Sequence, residues 1–258
     1  MSLPQKNRSN AARGLITLIG FAFIFCLLPA AKGEQAQVVS RAKPDKADVP
    51  AAKTLFAIDF SGNEGKNAVQ WLKSNGFRFE KDAGNAKRLA FSFNASSLIL
   101  EAKTFAFGLA LRETPELLPV RKIRVVWGVD KYPSGASYEN GLNREALMLY
   151  VFYGKEKVSP EIFLPKSPYY LGLFLSDTDR QNKFYVGNTY KTCGRYACIG
   201  NPKPGATVVS EFDIDSSFKA MFKKDKTPPL SGFSLEVDTG GTVDGTSKAF
   251  ISRIEFLE

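Results

Sequence analysis

The sequence predicts an all-β fold, a β-sandwich or jelly-roll-like architecture with one or two short peripheral helices. Three observations carry this expectation. Short segments alternate apolar with polar residues along most of the chain, turn residues recur at close spacing, and only two stretches, both short, have helical periodicity. The organising stretch is Val120–Tyr153. Its first segment runs Val120–Asp130 and contains Trp127, a turn-rich loop follows, and the second, Ala146–Tyr153, is almost wholly apolar or aromatic. Such a run belongs inside a sheet with both faces covered.

The other elements follow in order. Thr54–Phe60 is a strand ended by Ser61, Gly62 and Asn63. Lys66–Asn75 puts Ala68, Val69 and Leu72 on one helical face, with Gly76 placed to end the helix. Phe77–Lys81, Arg88–Asn94, Ser97–Lys103 and Phe105–Leu111 read as strands, the last with Phe105, Phe107, Leu109 and Leu111 on one face. Thr114–Pro119 is a turn. Beyond Tyr153 the chain turns irregular, with a compact strand at Leu171–Leu175 and extended pieces at Phe184–Val186 and Thr189–Lys191. Thr207–Ile214 is a strand leading through Asp215, a candidate N-cap, into an amphipathic helix at Ser216–Lys224. Gly232–Asp238 and Ala249–Leu257 close the fold around a glycine-rich loop.

The first 33 residues differ from the rest. A basic start (Lys6, Arg8, Arg13) precedes the apolar run Leu15–Leu28, which has the length of a signal-peptide core and falls short of a spanning helix. Residues 1–33 are therefore read as a signal peptide or an uncleaved signal anchor, 34–53 as a flexible tether, and 54–258 as one domain. The expected location is periplasmic or secreted, with membrane contact only through the leader. Formal charge falls from +9 to +5 without the leader, since 35 basic residues become 31 against 26 acidic ones. The remaining charges are dispersed, which argues against a nucleic-acid partner. Loss of Cys26 with the leader leaves Cys193 and Cys198, and an even pair in an exported chain predicts one disulfide closing a small loop.

The chain has no histidine. That removes Ser-His-Asp and Cys-His catalysis and imidazole-based zinc sites. No phosphate-binding glycine loop opens a helix. Carboxylate chemistry, oxygen-ligand metal binding and plain binding remain. The candidate catalytic acids are Asp130, Glu145, Asp177, Asp179 and Asp238, because a glycosidase needs two carboxyls flanking a cleft. Asp177, Asp179, Asp238 and Asp244 are candidate ligands for a structural calcium ion, although the EF-hand pattern fails at Asn182 and Asn188. The competing reading is that these aspartates accept backbone hydrogen bonds at strand ends. Tyr132, Tyr138, Tyr169 and Tyr170 are candidate ligand-binding rings, with Tyr190 and Tyr196 also falling in loops or at strand ends.

Val120–Tyr153, followed by the late strand Gly232–Asp238 with its glycine-rich continuation and a closing strand, resembles the bacterial secreted family known as domain of unknown function 3047. The likeness covers Phe56–Leu257. Trp127 and Asp130 match the family's first central strand, Glu145 falls where its members carry acids, and Asp238 matches the start of its aspartate loop. Gly240 and Gly241 stand where the family repeats an aspartate, leaving only Asp244 near, which weakens a shared metal or catalytic role. The resemblance implies export and a sandwich fold and assigns no activity. Three functions are compatible with these residues: a non-catalytic binder of an envelope component such as a glycan, a carboxylate-based glycoside hydrolase, and an assembly factor that meets another exported protein through a sheet edge.

Overall fold

The computed structural model describes residues 52–159 and 165–258, except for the side chains of 115–117. The predicted leader and all but the last two residues of the tether lie outside the described residues. The elements are β1 (Thr54–Asp59), α1 (Ala68–Ser74), β2 (Phe77–Lys81), β3 (Leu89–Phe93), β4 (Leu98–Ala102), β5 (Phe107–Leu118), β6 (Lys122–Lys131) and β7 (Glu145–Val158). They continue with β8 (Ser167–Leu175), β9 (Lys183–Tyr185), β10 (Gly194–Gly200), β11 (Val208–Asp213), α2 (Ile214–Phe222), β12 (Leu230–Asp238) and β13 (Ser247–Leu257). The fold is an all-β sandwich with two peripheral helices. Among the described residues no helix is long and apolar enough to cross a membrane.

Two sheets form the layers. The first has the order β11-β6-β13-β4-β3, with β1 pairing the second half of β13's free edge after β4 leaves it. The second has the order β2-β5-β12-β7-β8-β10-β9 and is antiparallel except where β10 runs parallel to β8. The organising segments β6 and β7 therefore belong to different sheets, and each is paired on both sides in its own. Trp127 is fully buried between them and donates its indole N–H to Ser210 Oγ at 3.0 Å. Strand alternation sends Ile123, Val125, Trp127 and Val129 of β6 inward to meet Leu147, Leu149, Val151 and Tyr153 of β7. On β13 a register shift between Ile251 and Arg253 adds one residue, so that Ala249, Ile251, Ile254 and Phe256 all face the core.

Both helices form where the periodicity places them, with local differences at their starts. Asn67 caps α1 by accepting the Gln70 N–H, and Gly76 follows with φ +83°. The N-cap of α2 is Asp213, not Asp215. Asp213 accepts both the N–H and the hydroxyl of Ser216, while Asp215, inside the first turn, pairs with Lys219 at 2.8 Å. The two residues are the same type two positions apart, and the helix begins where the earlier one reaches the free N–H groups.

Two larger expectations are corrected. The strand expected to end at Leu111 continues as β5 through the predicted turn to Leu118. The predicted Cys193–Cys198 disulfide is absent: Cys198 lies within β10 and Cys193 immediately before it. Five residues along an extended chain separate Cα atoms by about 16 Å, far beyond the roughly 7 Å that a disulfide spans. The segment read as a cysteine loop is instead a strand of the second sheet.

Candidate functional site on the outer face of the second sheet

The alternation that sends Leu147, Leu149 and Val151 into the core turns Met148, Tyr150 and Phe152 to the opposite face of β7. The neighbouring strands do the same. Register places Tyr170, Gly172 and Phe174 of β8 beside these residues, then Tyr196 and Cys198 of β10, and on the other flank Gly232, Ser234 and Glu236 of β12 beside Glu113, Leu111 and Leu109 of β5. Part of this outer face is closed into a second buried cluster made of Tyr138, Met148, Tyr150, Tyr170, Phe174, Tyr185, Cys193, Tyr196 and Cys198. The loop 132–144 covers it, stacking the Tyr138 ring on Phe174 with centroids 4.4 Å apart.

Two carboxyls lie in this closed part. Glu145 and Glu236 are 3% and 6% exposed and lie near enough for each to perturb the other's ionisation. Tyr138 donates its hydroxyl to Glu145 Oε2 at 3.0 Å, and Tyr150 donates to Glu236 Oε1 at 2.9 Å. Burial pushes both carboxyls up, Glu145 well above the ordinary range and Glu236 to about 7. Burial is the largest cause at both groups, and the neighbouring carboxyls Glu236 and Asp238 add to the rise at Glu145. Asp238 sits opposite Glu145 in the ladder and is also raised by burial, opposed by the Gly240 N–H and by Arg144, whose Nε lies 3.3 Å from Asp238 Oδ1. Burial likewise raises the Tyr138 and Tyr150 phenols far beyond their usual range, so both remain donors.

Beside the closed cluster the same face is open. A groove of about 650 Å³ crosses β2, β5, β12, β7 and the start of β8. Its apolar surfaces are Leu109, Leu111, Phe152 and Tyr190, and its polar ones include Thr114, Ser167 and Ser231. Gly232 lies in its floor, paired with Glu113 on one side and Phe152 on the other. The volume falls within the range of ordinary ligand sites.

The residues singled out in the sequence are distributed unevenly over this arrangement. Glu145 and Asp238 come together. Asp130 lies in the first sheet, 3.9 Å from Lys248 Nζ. Asp177 is exposed in the turn after β8. Asp179 is buried and accepts bonds from Ser137 Oγ, Ser176 Oγ and the Glu139 N–H, which ties the 132–144 loop to that turn. Asp244 pairs with Lys131 at 2.8 Å and accepts the Thr246 N–H. Among the described residues no three His, Cys, Asp or Glu side chains gather as a metal centre requires, so the four aspartates form no calcium cage.

The four candidate tyrosines divide as well. Tyr138 and Tyr170 belong to the closed cluster, where the Tyr170 and Tyr196 hydroxyls are 3.1 Å apart. Tyr132 donates to the Pro202 carbonyl at 2.9 Å, and Tyr169 packs on Phe222 of α2 with centroids 4.9 Å apart. The aromatic rings that line the groove are Phe152 and Tyr190. Glu236 was not singled out, although the alternation of Phe233, Leu235 and Val237 in Gly232–Asp238 already puts Ser234, Glu236 and Asp238 on one face.

The carboxyl pair does not have glycosidase geometry. Retaining and inverting enzymes place their two carboxyls on either side of a scissile bond in an open cleft, whereas Glu145 and Glu236 are both enclosed. The pair is also roofed by Tyr138, which leaves no room for a sugar between the two groups. What this arrangement does chemically is hold one proton at a buried site and anchor the covering loop to the sheet.

No family model matches the chain, and no curated protein matches it. Among solved structures, the chain is similar to Trichoderma harzianum endoglucanase 3 from family GH12, with 9% sequence identity and a TM-score of 0.36 over 81% of this chain and 97% of that one.

Proposed function

We propose that the protein is a non-catalytic, exported binding module that holds an extended polysaccharide of the cell envelope in the groove on the outer face of its second sheet. The observation that carries this reading is the groove's composition: an aliphatic and aromatic lining from Leu109, Leu111, Phe152 and Tyr190, bordered by the hydroxyls of Thr114, Ser167 and Ser231. The C–H faces of pyranose rings pack on such apolar surfaces, and their hydroxyls need polar partners at the edges. Export is supported by the leader-like residues 1–33 and by the resemblance to the secreted family named above. The enclosure of Glu145 and Glu236, each held by a tyrosine hydroxyl, supports binding over hydrolysis.

Affinity electrophoresis tests this. The purified protein is run through native gels containing individual envelope polysaccharides, beside Phe152→Ala, which strips the groove of one ring and leaves its backbone intact. Retardation by at least one polysaccharide, lost in Phe152→Ala, is the expected result. Unaltered migration in every gel, or equal retardation of the variant, would overturn the proposal.

A further inference from the structure

The groove's charges are sorted along its length. At the β2–β5 side the cation Arg78 is neutralised by Glu113 at 2.6 Å and Glu80 at 3.4 Å. At the β7–β8 side stand Lys155, Lys157 and Lys166, exposed lysines with no carboxylate partner among the described residues. Their position follows from a local feature of the chain. The β7–β8 register shifts between Tyr153 and Val158, and Gly154 lies within that shift with φ +67°, a conformation open to glycine and strained for other residues. The irregularity changes the phase of the strand, so that Phe152, Gly154, Lys155 and Lys157 all line the groove, while the acidic Glu156 between the two lysines does not.

Resting on the polysaccharide reading above, we infer that the bound polymer is an acidic polysaccharide whose carboxylate, phosphate or sulfate groups seat against Lys155, Lys157 and Lys166. Neutral sugar rings of the same strand lie along Leu109, Leu111 and Phe152. The mixed signs favour this class over a nucleic acid. A phosphate at every nucleotide would meet Glu80 and Glu113 at the far side, whereas a sugar polymer with spaced charges satisfies the lysines and presents hydroxyls to the two glutamates.

The test uses polymers that differ only in charge: polygalacturonate, alginate and hyaluronate, each against its esterified, uncharged counterpart. The purified protein is compared with the triple variant Lys155→Gln, Lys157→Gln, Lys166→Gln and with Phe152→Ala. Expected is retention by at least one acidic form about tenfold stronger than by its ester, abolished by the triple variant and by about 0.5 M NaCl, and weakened by Phe152→Ala. Equal binding of acid and ester would overturn the charge assignment while leaving the polysaccharide reading standing. Loss in the triple variant with full binding by Phe152→Ala, or equal retention by polyglutamate, would overturn it in favour of unspecific anion attraction. No retention by any polymer, charged or neutral, would overturn the inference and the reading beneath it together.

Discussion

The Glu145–Glu236 pair makes stability fall as pH rises through neutrality. In the unfolded chain Glu236 ionises near 4.5, and in the folded one near 7. Between those values the folded state binds more protons than the unfolded state, so the stability gained by keeping the group neutral is complete below about 4.5 and is lost as pH climbs to 7. At ~1.4 kcal/mol per pH unit the loss amounts to about 3 kcal/mol from this carboxyl. Glu145 and Asp238 are also raised, so their contributions have the same sign. With no histidine in the chain, no side chain of ordinary pKa titrates between pH 5 and 8 to mask the effect. For a domain of this size, 3 kcal/mol lowers the melting midpoint by about 6–12 °C. Calorimetry at constant ionic strength from pH 5 to 8 measures this. Glu145→Gln combined with Glu236→Gln keeps amide donors and acceptors in place of the titrating carboxyls and should flatten the slope. A wild-type midpoint that is level or rises across this range, or a double variant with an unchanged slope, would refute the argument.

Four further outcomes follow from named contacts. Asp179→Ala leaves the Ser137 and Ser176 hydroxyls and the Glu139 N–H without their acceptor, so denaturant unfolding should show a loss of about 2–4 kcal/mol, accompanied by faster hydrogen exchange in the 132–144 loop. Gly194→Ala puts a Cβ 2.5 Å from the Tyr170 ring and hydroxyl; overpacking of this kind costs about 1–3 kcal/mol and should be read as a lowered midpoint. Because no disulfide joins Cys193 to Cys198, a reducing agent should leave the midpoint unchanged. The Cys198 thiol, pushed up to about 11 by burial, should resist alkylation at pH 8 until the chain is unfolded, as peptide mapping would report.

The sandwich was legible because its strands alternate, and alternation depends only on the chain itself. It located β1 to β4, β6, β12 and β13 closely. What alternation does not contain is the identity of a strand's neighbour or of the layer that covers its second face. Tyr169, Tyr170 and Tyr196 have apolar rings and polar tips, which suit either a loop or a strand buried under an aromatic layer. Only pairing of β8 with β7 and β10 decides between the two. The cysteines carry the same ambiguity, since their spacing fits a small loop until β10 is seen to run straight between β8 and β9. At the site, Glu145 and Asp238 could be chosen as acids near strand ends. Glu236, in mid-strand between core residues, becomes meaningful only when β12 is set beside β7 and the two glutamates are brought near each other.

Glycines explain why one half of the outer face is closed. A Cβ at Gly172 would meet Met148 Sδ at 2.5 Å and the rings of Tyr150 and Tyr196; at Gly187 it would meet Tyr196, and at Gly194, Tyr170. Each of these glycines leaves a hollow that a tyrosine ring fills, and the rings then donate or share hydroxyls within the layer they make. Gly232 differs. A Cβ there would come within 2.8 Å of the Arg112 carbonyl oxygen and 3.2 Å of Glu113 Cα, so this glycine permits close approach of the β5 backbone and makes no room for a ring. Phe152 borders the groove and stacks on Tyr150 at 6.1 Å between centroids, and Tyr150 donates to Glu236. Two consecutive outward residues of β7 thus join the edge of the groove to the buried carboxyl.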